Sequence, residues 1–390
     1  MRKAPLLFFL TLASLLPVDL AALDVRFHPG EVVYPYEVDP TRGLSSIVLQ
    51  HVAFVQRDGG PVTLESVEIQ VLAGGQTVQT QLVSAASLDQ SAQQMSSLEA
   101  AGLLKLYDFH FQTSRSLGEG IKASPSRTLS PGTGLLVSGR PLLLSGPADE
   151  IVVLAHARDA AGQPVEARGS VRVAEHKSLN EYWFPMKGTL DVVVAPDLES
   201  PHRWAVNQEF AVDIVALGGN GNSHQGEGAR LTDYFGYGRE VLAVADGTVV
   251  TAVNDCVEAD GRLRQPGESS PDFQKRIVVE QNKLLAQGAT KALGCYVVIR
   301  HAGGEHSHSV HLKPGSVHVR PGDPVKRGQP IGQLGHSGNS TEPHLHFQLT
   351  DGPDPLYSRG LPILFANVIV EGLEYEGRLL QTGWIVTTKP

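Results

Sequence analysis

Basic residues, cysteines and long apolar runs are all scarce in this sequence. Its 390 residues include 32 Lys and Arg against 41 Asp and Glu, which gives a net charge of −9. Because phosphate binding needs clustered Lys and Arg, this balance argues against nucleic acid as a main partner. The two cysteines, Cys256 and Cys295, either pair in an oxidising compartment or remain separate buried thiols. The hydrophobic content of 41% is that of a globular protein and favours neither disorder nor a membrane bundle.

The N-terminus has the pattern of a secretory signal. Arg2 and Lys3 form a short basic region, residues 6–16 form an apolar run, and the small residues Ala21 and Ala22 follow. The apolar run is well short of the roughly 20 residues that span a bilayer, and no later run is apolar enough to do so. We therefore expect residues 1–22 to be a cleaved signal peptide and the protein to be exported to the periplasm or the cell exterior. An uncleaved membrane anchor is the alternative.

Residues 24–175 predict a domain built mostly of β-strands. Apolar residues such as Val67 and Ile69 alternate with polar ones, and turn-forming residues separate the runs. Strands at this spacing favour an immunoglobulin-like β-sandwich. One helix is expected to begin with a cap at Ser87 and to end at Gly102. This half contains no cluster of chemical residues, so a spacer, a substrate-positioning module and a lid all remain open as its role.

The composition changes near residue 178, where Gly and His become frequent. We expect a second domain over residues 178–365 and a β-rich extension over 366–390. Within the second domain, residues 256–295 have the pattern of an insertion between two strands. A helix is predicted in that insertion, over residues 271–287.

The most informative short motif is His344-Leu345-His346. In a strand, residues i and i+2 point to the same face, so these two imidazoles stand side by side. One can bind a metal ion while the other reaches a water molecule or the substrate. A single motif of this kind is weak support for a metal site, because two histidines can share a strand face by chance.

Further motifs accompany this one in a fixed order. They are the strand ending in Asp213, the run Ala-Asp246-Gly247-Thr, the pair His311-Leu312, the Gly-rich run from Gly322 to Gly332, and Gly335-His-Ser-Gly-Asn-Ser before Pro343. Together they make the region from about residue 200 to 350 resemble the lysostaphin-type zinc metalloendopeptidases, which cut peptide cross-links of peptidoglycan. The resemblance implies an antiparallel β peptidase domain and peptidoglycan peptides as the substrate.

The resemblance also implies a set of site residues. One zinc ion per chain would be held by His202, Asp213 and His346. Two imidazoles and one carboxylate leave a zinc position open, as in catalytic rather than structural sites. His344 is implied as the general base, and His311 is implied to polarise the water or to stabilise the oxyanion.

The first metal ligand is the weakest part of this assignment. The usual family spacing places a histidine four residues before the aspartate, where this chain has Glu209. His202 fits a variant in which the histidine lies further upstream, and Glu209 and His224 remain alternatives. His306 and His308 follow a Gly-rich stretch and are interpreted as part of a solvated loop.

Two other kinds of protein compete with the peptidase interpretation. A catalytically silent relative could act as a cell-wall binding or regulatory module, but Asp213, His311, His344 and His346 are all present. A biotinyl or lipoyl carrier would need a modified lysine in a hairpin such as Met-Lys-Met, which this chain lacks. No His-Glu-x-x-His segment occurs, so the helical zincin mechanism is excluded. The oligomeric state and the cross-link that is cleaved stay open.

Overall fold

The structure is a computed structural model that describes residues 23–39, 41–258, 260–375 and 377–389. The expected signal peptide lies outside these residues. The strands of the first half are β1 (Leu23–His28), β2 (Val32–Val33), β3 (Tyr36–Asp39), β4 (Leu44–Gln56), β5 (Val62–Ala73), β6 (Gln76–Ser84), β7 (Lys122–Ala123), β8 (Thr128–Leu129), β9 (Thr133–Ser145), β10 (Glu150–Asp159) and β11 (Pro164–Val173). Those of the second half are β12 (Leu190–Val194), β13 (Val212–Ala216), β14 (Glu240–Leu242), β15 (Gly247–Val253), β16 (Cys295–Arg300), β17 (His306–Leu312), β18 (Pro324–Val325), β19 (Pro330–Gln333), β20 (Leu345–Thr350), β21 (Gly360–Leu361), β22 (Val368–Val370), β23 (Leu373–Glu374) and β24 (Trp384–Thr388). The α-helices are α1 (Ala85–Ala100), α2 (Leu103–Leu106), α3 (Asp108–Phe111), α4 (Thr113–Leu117) and α5 (Ser270–Ala286).

Two sheets form most of the first half. One has the strand order β1-β4-β9-β7, with β3 also paired to β4, and the other has the order β2-β11-β10-β5-β6, with β8 paired to β5. Side chains from both sheets, including Phe54, Ile69 and Val153, meet in one buried core. The alternation that predicted a strand through Val67 and Ile69 places both side chains in that core. The mostly β fold class is confirmed.

The first helix begins three residues earlier than expected. The cap is Ser84, the last residue of β6, whose hydroxyl accepts a hydrogen bond from the backbone N–H of Ser87. Ser87 therefore lies inside the helix, and the expectation of a cap there is wrong. The apolar face was correctly identified, because Leu88 and Ala92 are fully buried against the sandwich.

A large antiparallel sheet organises the described part of the second half, and β14 and β19 form a separate two-stranded sheet. The strand order of the large sheet is β18-β15-β16-β17-β20-β13-β12-β24-β22-β23, with β21 on β20. The segment expected to be a separate C-terminal extension contributes β22, β23 and β24, and β24 pairs directly with β12. These strands thus extend the sheet that carries His346. The domain limits given above stay a prediction.

The insertion is present and is attached covalently. Its helix α5 matches the predicted helix to within one residue at each end. Cys256 and Cys295 form a disulfide bond, with their Cα atoms 5.4 Å apart. The bond joins the start of the insertion to the first residue of β16. Of the two open possibilities for the cysteines, the paired one holds.

His306 and His308 are not in a solvated loop. Both lie in β17, and their exposed fractions are 7% and 0%. The Gly-rich stretch forms a short 3₁₀ turn over Ala302–Gly304 that ends before the strand begins. The glycines therefore start a buried strand, and the interpretation of the two histidines was wrong.

Glu305 fastens the segment that connects the two halves. Its carboxylate accepts hydrogen bonds from His176 Nε2 at 2.7 Å, Asn180 Nδ2 at 2.7 Å and Tyr182 Oη at 2.6 Å. Burial would raise the pKa of Glu305, but these donors, His176 first, lower the pKa to about 2. The ionised carboxylate therefore stabilises the folded chain.

Replacing this carboxylate should weaken the fold in a pH-dependent way. We expect Glu305→Gln to lower the free energy of unfolding at pH 7 by about 2–3 kcal/mol, because several donors lose a charged acceptor. Since the folded pKa is lowered, the benefit is complete above the usual glutamate pKa and is lost as pH falls towards 2. Urea unfolding of both proteins between pH 7 and pH 3 measures the difference in their free energies of unfolding. A difference that stays constant below pH 4.5 would contradict this role of Glu305.

Candidate metal and catalytic site

Asp213 and His346 face each other on neighbouring strands. They are direct partners in the antiparallel pairing of β13 with β20. Paired residues of neighbouring strands project from the same face of a sheet, so their side chains meet. Asp213 Oδ1 lies 2.9 Å from His346 Nδ1.

His202 approaches the same carboxylate from a short turn. The turn spans Pro201–Trp204 and is capped by Ser200, whose hydroxyl accepts the backbone N–H of His202. His202 Nε2 lies 3.0 Å from Asp213 Oδ2. One ligand-type atom from each of His202, Asp213 and His346 falls within 4.8 Å of the others, and this is the group of potential metal ligands found in the described residues.

Glu209 is engaged elsewhere. Its carboxylate Oε1 accepts a hydrogen bond of 2.9 Å from Arg203 Nη1, and both side chains are almost fully buried. Arg203 also donates to the backbone carbonyl of Ser46 on β4, and Gln50 donates to the carbonyl of Arg203. The pair fastens the turn of His202 to the sandwich.

His224, the other alternative ligand, packs against a tyrosine. Its ring centroid lies 5.3 Å from that of Tyr234. Neither His224 nor Glu209 joins the cluster of potential ligands in the described part of the chain.

Gln348 sets the tautomer of His346. Its side-chain nitrogen donates to the carbonyl of Pro355 at 3.1 Å, so its oxygen is the atom that faces His346 Nε2 at 3.0 Å. Nε2 therefore carries the proton of a neutral His346 ring, and Nδ1 presents a lone pair towards Asp213. A partner of this kind fixes both the orientation and the basicity of a metal-binding imidazole.

His344 presents its Nε2 to the site. Its Nδ1 lies 2.8 Å from the carbonyl of Glu342, which can only accept, so Nδ1 donates. Nε2 is then unprotonated in the neutral ring and lies 3.7 Å from Asp213 Oδ1. An imidazole in this tautomer can accept a proton at Nε2.

A bulge in β17 brings His311 to the site. Val310 pairs with His346, so regular alternation would turn His311 towards the opposite face, where Leu345 lies in the core. Instead, two residues of β17 stand opposite Tyr296 alone, and His311 adopts a left-handed φ of 64°. Its ring centroid consequently lies 4.8 Å from that of His344.

The protonation of His311 follows from its surroundings. Its Nδ1 donates to the carbonyl of Ser337 at 2.9 Å. Burial lowers the pKa of His311 well below its usual value, and the neighbouring imidazoles of His344 and His346 lower it further. A neutral His311 therefore offers Nε2 as an acceptor.

The electrostatics of Asp213 favour a carboxylate. Burial would raise its pKa, but the neighbouring imidazoles, His202 first, hold that pKa well below its usual value. An ionised carboxylate oxygen and the lone pair of His346 Nδ1 are both acceptors, yet they lie 2.9 Å apart. Such a contact requires a proton or a metal cation shared between the two atoms. The donor set of two imidazoles and one carboxylate fits zinc.

Sequence reasoning missed the residues that orient the histidines. Gln348 lies two positions after His346 on the same strand face, so the alternation of the strand could have identified it. The carbonyls of Ser337 and Glu342 leave no signal in residue type, because every residue has one. His336, which follows Gly335 in the Gly-His-Ser motif, is buried, and its Nδ1 lies 2.8 Å from Ser340 Oγ.

Comparisons with known proteins agree with the resemblance. Residues 277–357 match the sequence model of Peptidase family M23. A 56-residue stretch is 43% identical to the peptidoglycan DD-endopeptidase ShyA of Vibrio cholerae serotype O1 (strain ATCC 39315 / El Tor Inaba N16961), and it covers 14% of this chain and 13% of that protein. The chain thus spans a small part of the length of this curated relative. The resemblance to the lysostaphin-type M23 peptidases is confirmed.

Similar solved structures include two peptidases. The catalytic domain of lysostaphin from Staphylococcus simulans is 18% identical, with 44% of this chain and 84% of that chain covered and a TM-score of 0.23. A zinc-containing peptidase from Vibrio cholerae is 14% identical, with 82% of each chain covered and a TM-score of 0.24.

The roles of His202 and Glu209 can be separated by experiment. If the cluster binds zinc, we expect His202→Ala to lower zinc affinity at least tenfold, because one of three candidate ligands is lost. Glu209→Gln should retain the wild-type zinc content but lower the free energy of unfolding by about 3 kcal/mol, because the buried Arg203 loses its counter-charge. Elemental analysis and urea unfolding of both variants provide the two readouts.

The opposite pattern would reverse the assignment. If Glu209→Gln lost zinc while His202→Ala kept it, Glu209 rather than His202 would be the first ligand. His224→Ala serves as the matched control and should leave zinc content unchanged.

Proposed function

We propose that this M23-type chain is an exported zinc metalloendopeptidase that hydrolyses peptide cross-links of peptidoglycan. The observation that carries the proposal is the acceptor–acceptor contact between Asp213 and His346, with His202 on the second carboxylate oxygen. His344 and His311 lie beside this contact with their ring centroids 4.8 Å apart, and each has an unprotonated Nε2 in its neutral ring. This combination of three ligands and two proton acceptors suits hydrolysis of an amide.

His202, Asp213 and His346 would hold the ion. When bound, zinc supplies a Lewis acid that makes a water molecule nucleophilic near neutral pH. Gln348 keeps Nδ1 of His346 available by holding the proton at Nε2. The fixed turn of His202 and the strand pairing of Asp213 reduce the rearrangement that binding requires.

His344 acts as the general base. Its Nδ1–H is held by the carbonyl of Glu342, so Nε2 takes a proton from the attacking water and later delivers it to the leaving amide nitrogen. The ring is mostly buried but still reaches the site, which keeps its orientation fixed.

His311 orients the water. As a neutral ring whose Nδ1–H is already given to Ser337, it has no proton at Nε2 to donate to an oxyanion. It accepts a hydrogen bond from the water instead. Of the two roles that the resemblance implied, the first is therefore the one that we propose.

Substrate class and location rest on separate observations. The M23 match and the relative ShyA, a peptidoglycan DD-endopeptidase by its name, support peptidoglycan peptides as the substrate. Export rests on the basic and apolar pattern of residues 1–22. Within the described residues, no helix is both long and apolar enough to cross a membrane. The sandwich would support the turn of His202 through Arg203.

Removal of zinc and removal of the general base should each reduce the activity. We expect the full-length protein to cleave purified cross-linked muropeptides, to lose activity with a chelator and to regain it with zinc. His344→Ala should keep stoichiometric zinc but lower kcat by about 10²–10⁴-fold, which is the usual contribution of a general base. Mass spectrometry of the products identifies the bond that is cleaved.

Two results would oppose the proposal. Zinc-loaded protein that cleaves none of the muropeptides would point to a catalytically silent module. Protein that binds no zinc even when the ion is supplied would remove the basis of the mechanism. Lys275→Gln, on the exposed face of α5, is the control variant and should behave as wild type.

A further inference from the structure

A large cavity lies between the insertion and the sheet, beside the candidate catalytic site. It has a volume of about 750 Å³ and is bordered by α5, by the disulfide of Cys256 and by the end of β15. Gly338 also lines it, and the carbonyl of the preceding residue, Ser337, holds His311. The loop that lines the cavity therefore also holds the ring of His311.

Arg262 is the principal polar group of this cavity. The residue is only 7% exposed, and its Nη1 donates to the carbonyl of Gly338 at 3.0 Å and to Asn339 Oδ1 at 2.9 Å. In the described part of the chain, Nε and Nη2 have no hydrogen-bond partner. A guanidinium held by one nitrogen keeps its other donors in a fixed direction, which suits two-point recognition of a carboxylate.

Lys291 adds a second positive charge to the cavity wall. It is exposed, and its ammonium forms no ion pair with any described residue. Most of the carboxylates around the cavity, in contrast, already have partners. Glu280 pairs with Lys283 at 2.8 Å, and Glu258 accepts the backbone N–H of His336 at 2.7 Å. Asp255 is the exposed exception.

We propose that this cavity is a subsite for a free carboxylate of the substrate peptide, bound by Arg262 and Lys291. The apolar part of its wall, including Val257, Leu284 and Tyr296, would contact the adjoining aliphatic side chains. The inference rests on the proposed function, because it names the part of a peptide substrate that is recognised. It assigns the insertion a role in specificity rather than in the chemical step.

Binding of matched acid and amide probes tests the subsite. The protein is the full-length zinc-loaded His344→Ala variant, which should bind without turnover, and the probes are N-acetyl-D-alanyl-D-alanine and its C-terminal amide. We expect calorimetry to give about tenfold tighter binding of the acid, as a charge-assisted contact would provide. Adding Lys291→Gln or Arg262→Lys should reduce that ratio to about threefold or less. Adding Lys275→Gln, on the same helix but outside the cavity, should leave it at tenfold.

Several results would overturn the subsite. Equal affinity for acid and amide means that no carboxylate is recognised. A tenfold ratio that survives both cavity substitutions means that the carboxylate binds elsewhere, for example at the metal. A D-alanyl-D-alanine amide with a free amino group that binds tighter than the acid would assign the cavity to cations through Asp255. A thermal melt of the Arg262→Lys variant checks its fold, and Lys291→Gln alters only an exposed side chain.

The outcome does not depend on turnover. If the chain cleaved muropeptides but bound acid and amide equally, the subsite would be wrong and the peptidase proposal would stand. If the acid preference held and depended on Lys291 while no muropeptide was cleaved, a peptide-binding site would remain without the proposed hydrolysis.

Discussion

The pairing of Asp213 with His346 across two neighbouring strands fixes the geometry on which the rest of the site depends. Their contact at 2.9 Å joins an ionised carboxylate to a ring nitrogen with a lone pair, and two acceptors hold that position only around a shared proton or metal cation. The other groups are arranged about this contact. Gln348 holds the ring of His346, the bulge at His311 turns an otherwise core-facing side chain to the same face, and His202 reaches the second carboxylate oxygen.

The first half of the chain has a structural part in this arrangement. Arg203 and Glu209 form a buried ion pair beside His202, and Arg203 also donates to the carbonyl of Ser46 in the sandwich. Taking two charges out of water is costly, so such a pair is retained only where further hydrogen bonds satisfy it. Its effect here is to fix a turn that has few backbone hydrogen bonds of its own. The sandwich thereby supports a candidate metal ligand although it contributes no side chain to the cluster.

Sequence patterns predicted those parts of the structure that depend on periodicity or on residue type. Alternation identified the strand through Val67 and Ile69, and the cluster of potential ligands joins the three residues that the family resemblance proposed. The errors arose where tertiary context decides. Glycines before His306 suggested a loop but only begin a strand, and the hydroxyl of Ser84 caps α1 before Ser87 can. The left-handed backbone of His311 and the carbonyls that set the tautomers could not be predicted, because they depend on strand register and not on residue type.

The position of bound zinc would show which side chains are its ligands. Crystals of the zinc-loaded protein, measured on both sides of the zinc absorption edge, give an anomalous difference map in which the ion is unmistakable. We expect one peak bounded by His202 Nε2, a carboxylate oxygen of Asp213 and His346 Nδ1, at about 2.0–2.2 Å from each. A peak bound by Glu209 or His224 in place of His202, or no peak at this cluster in zinc-saturated crystals, would contradict this assignment.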